Sequence, residues 1–266
     1  MSCNDPTILY KYKDLSPGGI DHVEDMLRNN QLWYSSPLHF NDPFDCRCVF
    51  DIRNTRDEIV LRKAAFLTRQ NGKTLADALA EADEGIPSEQ QELELWQTQQ
   101  IDVYSRRAAN SGILCLTPVC DNFIMWTHYA KNHTGICIQF RVRDGSEKEH
   151  LKFIADAQPV EYADRCPLIN VVRDGTVEMV RKAFLTKSTP FRYEREWRII
   201  QMDQGTGLKP IPEGIIGAVI LGCQINAADR ERVINACAEY NGDVEIVKAT
   251  LDPETYGLRM NLEMTV

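Results

Sequence analysis

ILYKYKDLSPGGIDHVEDMLRNNQLWYSS, residues 8–36, sets the kind of fold that follows. Ile8 to Tyr12 reads as a short strand and Pro17-Gly18-Gly19 as a loop. Ile20 to Asn29 reads as a helix, with apolar Ile20, Val23, Met26 and Leu27 at steps of three and four. Gln31 to Ser35 reads as a second strand, so the chain opens as strand, helix, strand.

Downstream, SSPLHFNDPFD is a loop with its own turn chemistry. Asn41 and Asp42 carry side chains that accept hydrogen bonds from amides just ahead, and Pro43 fixes one turn dihedral. Phe40 and Phe44 are expected to anchor this turn on the core. Its place after a serine-tipped strand also makes it a candidate site rim.

Residues 53–110 change texture. EIVLRKAAFLTRQ, TLADALAEA and SEQQELELWQTQQIDVYSRRAAN have helical spacing, with Gly72 and Gly85-Ile86-Pro87-Ser88 between them and a capping box expected from Ser88 and Gln91. From Gly112 strand-like runs return in GILCLTP and TGICIQFRV, around a more helical NFIMWTHYAKNH that Gly135 ends. Further strands are expected at Pro159 to Tyr162, Trp197 to Met202, Ala218 to Leu221 and Val244 to Ala249. Helices are expected at Thr176 to Leu185 and Ala227 to Glu239. The pattern predicts a single α+β domain over residues 1–266, with a mixed, mostly antiparallel sheet core and residues 53–110 as a helical insertion.

The totals narrow the function. A 266-residue chain with 43% hydrophobic and 26% charged residues and mean hydropathy −0.35 can bury a core without disulfides or metals. A net charge of −9 argues against coating nucleic acid through the overall field. No run approaches a membrane span, and MSCNDPTILYKYKDL lacks a cationic stretch followed by an apolar one, so a cytoplasmic location and no membrane partner are expected. Nine cysteines, from Cys3 to Cys237, show no C-x-x-C spacing and read as reduced, structural thiols. P-loop, Rossmann and nucleophile-elbow motifs are absent from the sequence.

Polar residues gather in three places. The first joins Tyr10-Lys11-Tyr12, Ser35-Ser36 and Asn41-Asp42. The second is Met125-Trp126-Thr127-His128-Tyr129 with His133. The third runs from Lys187-Ser188-Thr189 to Phe191-Arg192-Tyr193-Glu194-Arg195-Glu196-Trp197-Arg198. From Arg181 to Arg198 six basic residues face two acidic ones, a segment suited to holding a phosphate beside a working carboxylate. On a strand, Glu194, Glu196 and Arg198 share one side; the alternative is a solvated edge strand laced with ion pairs. His128 and His133 are five apart, which fits a zincin-type metal pair poorly.

LYKY, LWYSSPLHFNDPFD, ILCLTP, MWTHYAKNHTGICIQF, LTKS and YEREWRII, in this order, resemble the bacterial domain-of-unknown-function family twenty-nine seventy-one. The resemblance runs from about Ile8 to about Leu221, and it implies a stress or phage-defence role. More distantly, the chain resembles ADP-ribosyltransferases, in which a first strand, a helix and a serine-ended strand are followed much later by a strand carrying glutamate. Here Lys11 stands where that family has arginine or histidine, and the serine motif lacks the threonine of arginine-directed enzymes.

That resemblance implies an ADP-ribosyltransferase-like sheet core and NAD as substrate. It implies Glu196 as catalytic carboxylate with Glu194 and Tyr10 as further catalytic residues, Glu194 positioning the acceptor, Tyr10, Lys11 and Ser35 at the nicotinamide riboside, and Tyr12 and Ser36 also binding the cofactor. Arg192 or Arg198 would hold the phosphates, and Lys187 would also bind the cofactor. Asn41, Asp42, Trp126, His128 and His133 would border the cleft. As a toxin-like activity it implies a protein or nucleic-acid acceptor and an antitoxin partner. The alternatives are a nonenzymatic module sensing a nucleotide or phage component, and a metal-dependent nuclease drawing on Asp42, Asp45, His128, Glu194 and Glu196.

Overall fold

The computed structural model describes residues 7–142, 148–202 and 205–266; Cys3 lies outside the described residues. The opening follows the periodicity: β1 (Ile8–Lys13), α1 (Gly19–Asn29) and β2 (Gln31–Tyr34). After β3 (Val49–Phe50) come α2 (Arg56–Asn71), α3 (Leu75–Glu84) and α4 (Gln90–Ala109). Next are β4 (Gly112–Leu116), α5 (Phe123–Tyr129), β5 (Ile136–Arg141) and α6 (Lys148–Ala155). Short β6 (Gln158–Pro159), β7 (Glu161–Ala163) and β8 (Leu168–Ile169) precede α7 (Thr176–Phe184) and β9 (Thr186–Ser188). The chain continues through β10 (Trp197–Gln201), β11 (Gly207–Pro210), β12 (Ile216–Leu221), α8 (Ala227–Ala238), β13 (Glu245–Leu251) and β14 (Leu258–Thr265). The architecture is mixed α+β, with most strand pairs antiparallel.

Two compact units emerge. The first draws on Met1–Ser36, Gly112–Val160 and Pro190–Val266, the second on Pro37–Ser111 and Glu161–Thr189.

The first unit is built on a five-stranded sheet in the order β1-β5-β12-β13-β14. β12 is buried at every position because both its edges are paired and both its faces are covered. β12 and β13 are parallel, and α8 supplies the crossover that parallel pairing requires. On one face Leu9, Ile138, Phe140 and Val219 pack with Val23 and Leu27 of α1 and Val233 and Cys237 of α8. On the other, Tyr12, Cys137, Ile220 and Ala249 pack with Met125 and Trp126 of α5. Arg232 ties α8 to α1 through Glu24 at 2.8 Å and Asp21 at 2.6 Å. A three-stranded sheet, β4-β10-β6, joins this unit through a bridge between Tyr10 and Thr117, and β2 joins β4 through Ser35 and Ile113. Gly135 is needed where the backbone passes close to the Lys13 carbonyl, because a Cβ there would collide with it.

The second unit holds α2, α3 and α4 around Ile59, Ala64, Ala78 and Leu93. Its buried polar groups satisfy one another: Asn170 donates to Asn54 at 2.8 Å, and Asn54 to Gln97 at 2.8 Å. The capping box of this block forms at Thr55 and Glu58. Ser88 and Gln91 do not make one, because α4 starts one residue later than that spacing needs, with Glu89 at its N-cap.

Other expectations change. The strand expected at Pro159 to Tyr162 is divided, because the chain leaves the first unit at Val160: β6 pairs with β10 and β7 with β9. Phe44 is 62% exposed and lies under the Arg47 guanidinium, 5.8 Å from its ring centre, so it does not anchor the loop. Among the described residues no helix is long and apolar enough to cross a membrane.

Candidate active site

The two glutamates of the YEREWRII segment issue from one sharp reversal. A 3₁₀ turn over Thr189–Glu194 closes with the Arg195 amide donating to the Arg192 carbonyl at 3.2 Å, and Arg195 then adopts φ +47°, in the left-handed region. β10 begins two residues later. Glu194 therefore belongs to the turn, while Glu196 and Arg198 share a strand face. All three are buried, at 3%, 5% and 0% exposure. The solvated edge strand is thereby overturned: β10 is the central strand of its sheet, with β4 on one side and β6 on the other.

Arg198 grips Glu196 with both ends of its fork, Nε to Oε1 at 2.8 Å and Nη2 to Oε2 at 3.0 Å. Lys11 reaches the same place from β1 and donates to the Cys115 carbonyl at 3.0 Å. Burial pushes the Lys11 ammonium below the usual lysine value, and nearby Glu196 works against that shift. Burial, then the charge of Glu196, holds the Cys115 thiol well above the ordinary range. β1, β4 and β10 thus bring Lys11, Cys115, Glu196 and Arg198 together in the interior.

Glu194 faces α5. Tyr129 donates its hydroxyl to Glu194 Oε1 at 2.6 Å, and Thr117 donates to the Glu194 carbonyl at 2.6 Å. Exposed His128 places Nδ1 3.2 Å from the Tyr193 hydroxyl. Asn122 caps α5 by accepting from the amides of Ile124 and Met125, and its Nδ2 donates to the Tyr193 carbonyl at 3.2 Å, which fixes the helix against the turn.

The remaining candidates take supporting positions. Trp126 is fully buried, donates Nε1 to the Cys120 carbonyl at 2.8 Å and meets Tyr12 edge-on at 5.2 Å. Tyr12 donates to the Val119 carbonyl at 3.0 Å, and Tyr10 accepts from Gln139 at 3.0 Å. Burial pushes the Tyr10 hydroxyl up to about 12. His133 stacks on Trp126 at 6.2 Å and ends a run of left-handed residues, Lys131, Asn132 and His133. Burial lowers its pKa. Ser35 exchanges backbone hydrogen bonds with Ile113, Ser36 is buried at 3% exposure, and Arg192 is exposed.

Asn41, Asp42 and Lys187 belong to the second unit. Asp42 accepts from the Phe44 amide at 2.9 Å, and its carbonyl from the Asp45 amide at 3.1 Å, so it forms the expected turn. Lys187 pairs with Asp45 at 3.4 Å, with both side chains buried, beside a 140 Å³ pocket that Arg47, Arg165 and Ser188 also line. Among the described residues no group of three or more His, Cys, Asp and Glu side chains is placed to hold a metal ion, so the nuclease alternative gains no support.

Sequence reasoning left out Tyr129, Tyr193, Cys115 and Thr117 as site residues. Tyr129 stood in a polar cluster, but its partner is 65 residues away. Cys115 reads as one more apolar position of β4.

No curated protein and no solved structure matches the chain. Residues 125–199, which carry α5, β5 and the glutamate turn, match the family model described as "Protein of unknown function (DUF2971)".

Proposed function

We propose that the first unit cleaves a nicotinamide nucleotide by ADP-ribosyltransferase-type chemistry. The observation that carries this reading is the meeting of Lys11 on β1 with Glu196 at the head of β10, strands distant in sequence, with Glu194 in the turn that leads into β10. In this reading the bond between nicotinamide and ribose C1′ breaks, nicotinamide leaves with the bonding electrons, and an acceptor nucleophile attacks C1′ and loses its proton. A carboxylate facing the developing positive charge lowers that barrier. Arg198 holds Glu196 rather than reaching for phosphate, which leaves exposed Arg192 as the phosphate contact. Glu194 positions the acceptor, while Trp126 and His133 support the site from behind.

The test is nicotinamide release from NAD in bacterial lysate, with a labelled cofactor to reveal the acceptor. Glu194→Gln and Glu196→Gln should each abolish release while circular dichroism keeps its wild-type form. Unchanged release in both variants refutes the assignment.

A nonenzymatic nucleotide-binding module is the second reading, and the occupation of both Glu196 oxygens by Arg198 favours it. It predicts saturable nucleotide binding with no turnover.

A further inference from the structure

A pocket of 350 Å³ opens in the first unit between the end of β1, α1, β2 and β11. It shares no lining residue with the glutamate site. Its volume lies near the lower bound of about 300 Å³ for small-molecule sites, too small for a dinucleotide and suited to a ligand the size of an amino acid.

The floor is apolar and closed, with Met26 and Leu32 at 3% and 1% exposure. Trp33 and Leu208 form the wall. They are direct partners in the ladder between β2 and β11, so they stand side by side on one face, and they are 50% and 53% exposed. Two large apolar side chains left half-open at the mouth of a pocket present the surface that an apolar ligand covers. Polar groups are few: the Gln31 amide, the half-buried Lys13 ammonium, and His22 and Asp25, both exposed on α1.

We propose that this pocket binds a small monocarboxylate with an aromatic or branched apolar body, the body lying on Trp33 and Leu208 and the carboxylate on Lys13. A tryptophan face favours a flat ring, and Lys13 is the half-buried cation that the pocket offers to an anion. The charged and titratable groups around Lys13 are Lys11 on its own strand and His22 and Asp25 on α1. The residues that β2 and β11 contribute to the pocket are uncharged. Burial, with a smaller contribution from Lys11, pushes the Lys13 ammonium down to about 7. A bound carboxylate reverses that shift, so binding at pH 8 takes up protons.

Calorimetry on the full chain tests this with phenylacetate, phenethylamine and benzyl alcohol, in two buffers of different ionisation heat. Phenylacetate should bind saturably with proton uptake at pH 8, and phenethylamine and benzyl alcohol should not bind. Affinity should fall about tenfold or more in both Lys13→Met and Trp33→Ala, and proton uptake should vanish in Lys13→Met. Trp33 is half-exposed, so its variant keeps the fold and separates loss of binding from loss of structure. No saturation by phenylacetate, equal binding of phenethylamine, or unchanged affinity in Lys13→Met overturns the proposal. None of these outcomes depends on nicotinamide release, so the two readings stand or fall separately.

Discussion

Tyr129 donates its hydroxyl to Glu194 over 2.6 Å, joining the last turn of α5 to the reversal that precedes β10. Glu194 is only 3% exposed, so this hydroxyl is one of the groups that replace water around its carboxylate.

Tyr129→Phe removes that donor and keeps the ring. A hydrogen bond to a charged group contributes about 1.5 to 3 kcal/mol, and a loss of that size is expected in urea unfolding. If Glu194 positions the acceptor, nicotinamide release should fall in the same variant while its circular dichroism is unchanged.

Glu196 and Arg198 make a different prediction, because each offsets part of the other's burial. Arg198→Met leaves a buried carboxylate without its fork and should cost about 3 to 5 kcal/mol of stability. Glu196→Leu combined with Arg198→Met should recover much of that loss. A double variant no more stable than Arg198→Met would show that the pair is not the unit that matters.

Arg195 sits at φ +47° with its side chain in solvent. A left-handed residue with a Cβ carries a strain of about 1 to 2 kcal/mol, which glycine escapes at some entropic cost. Arg195→Gly should therefore melt close to wild type, and Arg195→Val well below it. Equal melting temperatures for the two variants would place the turn elsewhere.

Lys13 gives the protein a pH dependence with a definite sign. Its folded-state pKa, about 7, lies below the unfolded value of about 10.4. Between these values the unfolded chain binds the extra proton, so stability rises with pH across the window; below it the cost of the buried ammonium is fully present and no longer changes with pH. Unfolding curves at pH 7, 8 and 9 should show wild type gaining on Lys13→Met. A constant difference between the two proteins is the contrary result.

Legibility in the sequence follows the range of the interactions. α1 and α2 to α4 are readable because their spacing and breakers are local: Ile20, Val23, Met26 and Leu27 recur on one face, and Gly72 does end α2. β14 escaped because Leu258 to Thr265 is mostly exposed and carries no run of buried positions. The spacing of the glutamate segment predicts a charged strand face, which holds for Glu196 and Arg198. It fails for Glu194, because the left-handed turn at Arg195 has no signature in an arginine. The meeting of Lys11 with Cys115 and Glu196 depends on strand pairing across the whole chain, which spacing does not encode.

The order of strands in the larger sheet also sets a schedule for synthesis. β1 finds β5 while much of the chain is still to be made, but the other edge of β5 belongs to β12, and β12 in turn needs β13. Until those segments leave the ribosome, the nascent chain carries an open row of backbone donors and acceptors beside buried-type side chains, the surface on which strands of neighbouring chains pair. The second unit, whose last segment ends at Thr189, is complete before that edge is closed. Ribosome stalling beyond Thr189 should therefore yield a protected helical unit and a sheet that is prey to proteases and chaperones.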